Sequence, residues 1–167
     1  PDGDYKIYLD SGEVSKEKIM AAGNPLNEEL KQEILAIDGI TDVIVKRQAV
    51  NTTFKTDINQ NTGNCDMLTD QNYAKVEAAL TEGTMPTDSH SIVISRSIVD
   101  SYEDMGVGST VEISFREGQS SVPVTISGLF GAGTYTGHGK LLIDGAVAFA
   151  PHDLFRELHP EITSFDY

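Results

Sequence analysis

Glu77–Phe115, EAALTEGTMPTDSHSIVISRSIVDSYEDMGVGSTVEISF, is the stretch from which the rest of this 167-residue chain is read. Ile92, Val93 and Ile94 form a short β-branched apolar run, which favours a covered strand over a helix. Ser95 follows as a hydroxyl able to cap the amides of a new helix, and Ile98, Val99, Tyr102 and Met105 recur behind it at helical spacing. The spacing predicts a helix that stops at Gly106, where glycine accepts the left-handed geometry common beyond a helix end. Gly108-Ser109 then turns the chain into Thr110–Phe115, where apolar residues alternate as in a strand.

The order and spacing of these pieces resemble the extracytoplasmic core domain of MacB-like, FtsX-like ABC transporter permeases. The matching residues are Gly83 and Pro86, Ile92 to Ser95, Val107-Gly108-Ser109 and the strand end Val124-Thr125-Ile126-Ser127-Gly128. The resemblance covers roughly 77 to 130 and is carried by order, each piece alone being ordinary turn or strand chemistry. It implies an α+β fold with mixed sheets: a porter-like βαβ lobe from 1–61 plus 138–167, and an inserted Sabre-like lobe from 62–137. It also implies a non-catalytic domain on the extracytoplasmic face of a bacterial membrane, relaying ATP-driven movement outward. The implied partners are the transmembrane helices of the same permease, indirectly a cytoplasmic ABC ATPase, and an extracellular peptide or protein, with the parent dimeric. Two soft crossings, Asp57–Asp66 and Gly131–Lys140, would join the lobes.

Composition narrows the function classes independently. Lys+Arg 12 against Asp+Glu 26 gives a formal charge of −14, which repels nucleic-acid backbones and anionic lipid surfaces. Cys65 is the single cysteine, so no intrachain disulfide forms, and no neighbour in sequence marks it as a reactive thiol. No apolar run reaches the roughly 20 residues of a membrane span. The chain starts without Met; it reads as a domain from a longer protein.

Outward from the central stretch, Asn24 as cap with Pro25 at the first helical position predicts a helix to about Asp38, with Leu26, Leu30, Ile34 and Ile37 on one face. Tyr5–Leu9 reads as a short strand and Ser15–Ala22 as a turn or two of helix. Ile40–Lys55 reads as one long strand, or two broken near Gln48. Tyr5–Leu9, the helix and that strand would form a βαβ unit. Asp57–Asp66 is polar and reads as a loop. Asp70–Leu80 carries Tyr73, Val76, Ala79 and Leu80 at helical spacing and ends at Gly83. Arg116–Ser121 makes a hairpin loop and Val122–Phe130 returns as a strand whose Pro123 end pairs on one side only. Leu141–Ile143 and Ala146–Ala150 are strand material, and Pro151 opens a helix to about Leu158 with Leu154, Phe155 and Leu158 inward.

No motif supplies a catalytic, cofactor or metal site. Asp57, Asn59 and Asn61 occupy the first, third and fifth positions of a calcium loop, but Gly63 falls one place late and Leu68 stands where a bidentate Glu is needed. Gly131–Lys140 lacks a phosphate-loop pattern, since Thr134 stands at the first glycine and Leu141 follows the lysine. His90, His138, His152 and His159 form no zinc-hydrolase pair, and no nucleophile elbow exists. The alternative to the permease reading is a free-standing extracellular ligand-binding or adhesion module, its acidic face taking a peptide, cation or glycan.

Overall fold

The computed structural model describes residues 26–43, 45, 47–115, 120–131 and 146–160. Outside these lie the readings of Tyr5–Leu9, Ser15–Ala22, the Asn24-Pro25 helix start, the 116–119 part of the hairpin loop, His138, the glycine-rich run after Gly131 and Leu141–Ile143. The chain divides into two compact units, Pro1–Arg47 with Thr163–Tyr167, and Gln48–Ile162.

In the first unit the described element is helix α1, Glu28–Leu35. Its cap is Asn27 rather than Asn24: the Asn27 side chain accepts from the Leu30 amide at 3.0 Å. The helix also ends earlier than expected, so Ile37 lies beyond its last turn and is 56% exposed. Leu30 and Ile34 are half-buried, and Gly39 with φ +89° takes the left-handed conformation past the end.

The second unit is a closed sheet. Its strands are β1 Gln48–Lys55, β2 Gln60–Met67, β3 Leu80–Gly83, β4 Ser91–Ser95, β5 Thr110–Ser114, β6 Ser121–Phe130 and β7 Ala146–Ala150. They run in the order β3-β6-β4-β7-β2-β1-β5, and β5 pairs again with β6, closing a six-stranded ring with β3 as an extra strand. The ring is mixed: β2 is parallel to β7 and β4 to β6, and the other pairs are antiparallel. The branch is possible because β6 is ten residues long. Its first half pairs with β5, and its second half with β4 on one side and β3 near Gly128. Pro123 lies opposite Glu112 of β5, ahead of the point where β4 joins at Thr125, so its missing N–H costs no second ladder.

Cross-strand partners share a face. Ile92 with Ile126, Ile94 with Ala148, Ala148 with Cys65, Phe54 with Ile113, Ile113 with Val122 and Val111 with Val124 therefore mark one continuous apolar lining. All of these side chains are buried. The lining faces the interior of the ring, which small residues such as Ala148 and Cys65 keep narrow. On the opposite face, Val93 and Phe149 are partners and pack with Phe130, Met85 and the Val76 and Ala79 side chains of helix α2, Asp70–Ala79.

Several expectations change. The boundaries at 61/62 and 137/138 do not divide the described residues: β1, β2 and β7 hydrogen-bond into the same ring as β4 and β6, and the compact unit begins at Gln48. Asp57–Asp66 is accordingly no soft crossing. Thr56–Asn59 is a tight turn, with the Thr56 amide 2.8 Å from the Asn59 carbonyl, and the polar run from Gln60 onward is strand β2. Of Ile40–Lys55, read as one long strand or two broken near Gln48, the described residues form strand over Gln48–Lys55, with a bulge between Ala49 and Thr52 where Asn51 takes φ +54°. The helix after Asp70 stops at Ala79, and Leu80–Gly83 extends as β3. The helix after Ser95 is a single turn, α3, Arg96–Val99; Tyr102 and Met105 follow in turns. The left-handed glycine is Gly108, φ +90°, rather than Gly106. The last described helix, α4, His152–Leu158, follows Pro151 with Leu154, Phe155 and Leu158 buried, in agreement with the sequence.

Candidate functional site

A cleft of about 390 Å³ opens beside the carboxyl ends of the parallel pair β2 and β7. Its lining comes from four places: Leu68 and Thr69 after β2, Asp70 and Tyr73 at the start of α2, the 86–89 turn before β4, and Pro151, His152 and Asp153 at the start of α4. Each wall is positioned by local chemistry. Thr69 caps α2 by accepting from the Asn72 amide at 3.2 Å, while Asn72 accepts from the Thr69 amide at 2.8 Å, a reciprocal capping box. The Asn72 amide group also donates to the Met67 carbonyl at 3.0 Å, which ties the helix start to the end of β2. The Leu68 amide donates to the Ala150 carbonyl at 2.8 Å and joins the two strand exits.

The 86–89 turn is organised by Asp88, whose Oδ1 accepts from the His90 amide and the Ser91 hydroxyl, each at 2.9 Å. His90 Nε2 lies 2.6 Å from Glu157 Oε2, fastening the turn to α4. His152 Nδ1 is 3.9 Å from Asp153 Oδ1, and His159 sits at the end of α4. The cleft lining thus includes Asp70, Asp88 and Asp153 from three separate segments, alongside Leu68, Tyr73, Pro86, Pro151 and His152.

A second polar cluster braces the ring at the β1–β2 turn. Asp104 accepts from the Thr56 hydroxyl and, at 2.6 Å, from the Asn59 amide group, while Asn61 Nδ2 donates to the Tyr102 hydroxyl at 3.2 Å. The asparagines of the calcium-like spacing are therefore turned toward the 102–104 loop. Among the described residues no group of three His, Cys, Asp or Glu is placed to hold a metal ion. The Thr56 hydroxyl, and after it the Asn59 amide, hold the Asp104 carboxyl below its ordinary value, against partial desolvation acting the other way. A carboxyl lowered by folding contributes stability above its unfolded pKa and loses it as pH falls through the folded one. Asp104→Ala should therefore lower the urea midpoint at neutral pH, and the wild-type advantage should shrink below about pH 4. Paired unfolding curves from pH 7 down to about 3 check this; an advantage that persists unchanged at the acid end rules the brace out.

Cys65 is fully buried in the ring lining, and burial, followed by the neighbouring Asp66 charge, pushes its thiol well above the ordinary value. That is the setting of a packing residue rather than a nucleophile. Sequence reasoning named no site residue. The three cleft aspartates each stand at a helix or turn start, but nothing in the linear order relates one to the next.

No protein-family model and no curated protein matches the chain. Solved structures do. The extracellular domain of the noncanonic ABC-type transporter YknZ from Gram-positive bacteria superimposes with a TM-score of 0.53 at 17% identity, covering 91% of this chain and 75% of that one. This chain has the fold of an extracellular ABC-transporter domain. A permease-protein domain from Porphyromonas gingivalis is also similar, with a TM-score of 0.45 at 15% identity over 68% of this chain and 52% of the other. Among the described residues no helix is long and apolar enough to cross a membrane.

Proposed function

We propose that this chain is a non-catalytic extracytoplasmic domain of a MacB/FtsX-type ABC transporter permease, and that it relays ATP-driven movement of the membrane helices to a substrate or partner outside. The observation that carries this reading is the fold shared with the YknZ extracellular domain over 91% of the chain. The closed ring supports it physically. Every ring strand is hydrogen-bonded on both sides, so a displacement applied at one point moves the six strands together. A cytoplasmic ATPase supplies the energy, and the parent permease works as a dimer.

The parent gene is the first test. Apolar spans of about 20 residues should flank the domain; a parent without any such span removes the reading. In the reconstituted parent, deleting the domain should leave ATP hydrolysis running and uncouple it from transport. Transport that continues undiminished counts equally against the relay. A second reading, a free-standing ligand-binding or adhesion module, draws its support from the acidic cleft, and the same flanking spans separate the two.

A further inference from the structure

We infer that Asp38-Gly39, in the turn that leaves helix α1, is a site of spontaneous covalent modification, where the Asp38 side chain cyclises onto the Gly39 backbone nitrogen and the chain ages to isoaspartate. The inference goes beyond the transport reading and does not depend on it.

The chemistry is a dehydration followed by a hydration, and water is the only co-reactant. The Gly39 nitrogen gives up its proton and bonds to Asp38 Cγ, while one carboxyl oxygen departs as water and a cyclic imide closes. Water then opens the ring at either carbonyl. Breaking the bond from nitrogen to Cγ restores aspartate. Breaking the bond from nitrogen to the original main-chain carbonyl carbon leaves the backbone running through Cβ, as isoaspartate. The reaction needs a following residue that does not shield its own amide, an attacking nitrogen free of hydrogen bonds, and a carboxyl free to turn onto it.

This turn meets all of these demands. Past the end of α1 the Ile40 amide donates to the Ile37 carbonyl at 3.1 Å, and Gly39 holds the corner at φ +89°. An L side chain is strained in that conformation. The geometry that ends the helix therefore also places the least shielding residue beside Asp38. A Cβ added at Gly39 would meet no atom within 4 Å, so the corner is open, and Asp38 and Gly39 are both exposed. Among the described residues the Gly39 amide has no acceptor, and the Asp38 carboxylate has neither a donor nor a cation.

The other described aspartates differ. Asp38-Gly39 is the one Asp-Gly pair among the described residues. Asp88-Ser89 and Asp100-Ser101 have the next smallest following side chains, and both carboxylates are held. Asp88 Oδ1 accepts from the His90 amide and the Ser91 hydroxyl, and Asp100 Oδ2 lies 3.6 Å from Arg96 Nε.

The test ages the purified chain in neutral buffer and maps it with trypsin. The peptide Gln32–Lys46 carries Asp38. Isoaspartate appears in it as a second chromatographic form of unchanged mass, placed at position 38 rather than 42 by electron-based fragmentation and methylated by protein isoaspartyl methyltransferase. Conversion at Asp38 should run at least about tenfold faster than at Asp88. In the folded chain it should also stay within about threefold of its rate in the synthetic peptide Gln32–Lys46, because the fold leaves the turn unshielded. Asp38→Glu, whose larger imide ring closes far more slowly, should abolish the second form without moving the unfolding midpoint. A folded chain whose Asp38 stays intact while the free peptide converts overturns the inference, since the turn then protects the pair. Equal conversion at Asp38 and Asp88, or a second form that persists in Asp38→Glu, overturns it as well. Each of these results leaves the transport reading untouched.

Discussion

Replacing Gly83 by alanine should destabilise the Gln48–Ile162 unit by roughly 2–4 kcal/mol and lower its thermal midpoint by on the order of 10 °C. Two independent faults combine at this site. Gly83 has φ +74°, where an L side chain is strained, and a Cβ there would lie 2.3 Å from the Ser127 carbonyl oxygen and 2.8 Å from the Gly128 Cα. Those atoms are backbone and cannot rotate away. The cross-strand partner is itself a glycine, Gly128, where a Cβ would meet the Thr84 carbonyl oxygen at 2.6 Å. Gly128→Ala should therefore also be costly, without the left-handed penalty. Gly108, φ +90° in open space, should cost about 1 kcal/mol. Gly106→Ala, with neither strain nor a neighbour within 4 Å, should stay within about 0.5 kcal/mol of wild type. Urea unfolding of the four variants checks the order. Equal values at positions 83 and 106 would remove the argument.

The Gly83 and Gly128 pair explains why the central stretch was legible. The glycines and Ser127 that stood out in the linear order meet where β3, β6 and β4 converge. Ser127 is skipped by the β4 register, and its hydroxyl lies 2.9 Å from the Thr84 carbonyl and 3.2 Å from the Ile92 carbonyl. A three-strand junction has few backbone solutions, so its residue types are narrow and readable. Strand β4 was legible for a different reason. Covered on both sides by β6 and β7, it is buried at all five positions and reads as a continuous apolar run.

Strand β2 was not legible because its ladder, rather than its composition, makes it a strand. Gln60-Asn61-Thr62-Gly63-Asn64 has the chemistry of a turn, but β1 pairs along its length and β7 joins from Asn64. Gly63 is selected by a long-range neighbour, since a Cβ there would lie 2.3 Å from Val147 Cγ2, 84 positions away in sequence. Periodicity misled at α3 in the opposite direction. Ile98, Val99 and Met105 are all buried, but one helical turn followed by tight turns buries them as well as a continuous helix would. The cleft was hidden because its three carboxylates come from segments brought together only by the sheet order.

Phe149→Ala should be the most damaging core substitution outside the ring, at roughly 3–5 kcal/mol. Phe149 is fully buried near the carboxyl end of β7, opposite Val93 of β4 and Asp66 of β2, with its ring edge-on to Phe130 at 5.5 Å between centroids. Truncation removes that aromatic pair and leaves a void among Val76, Ala79, Met85 and Val93. Against a total stability of about 5–15 kcal/mol, a loss of this size leaves a marginal fold. Phe149→Leu keeps most of the volume and should cost less than about 2 kcal/mol. Denaturant midpoints with an unchanged slope would locate the effect in the folded state. A loss below about 1 kcal/mol would mean that the cluster collapses around the gap.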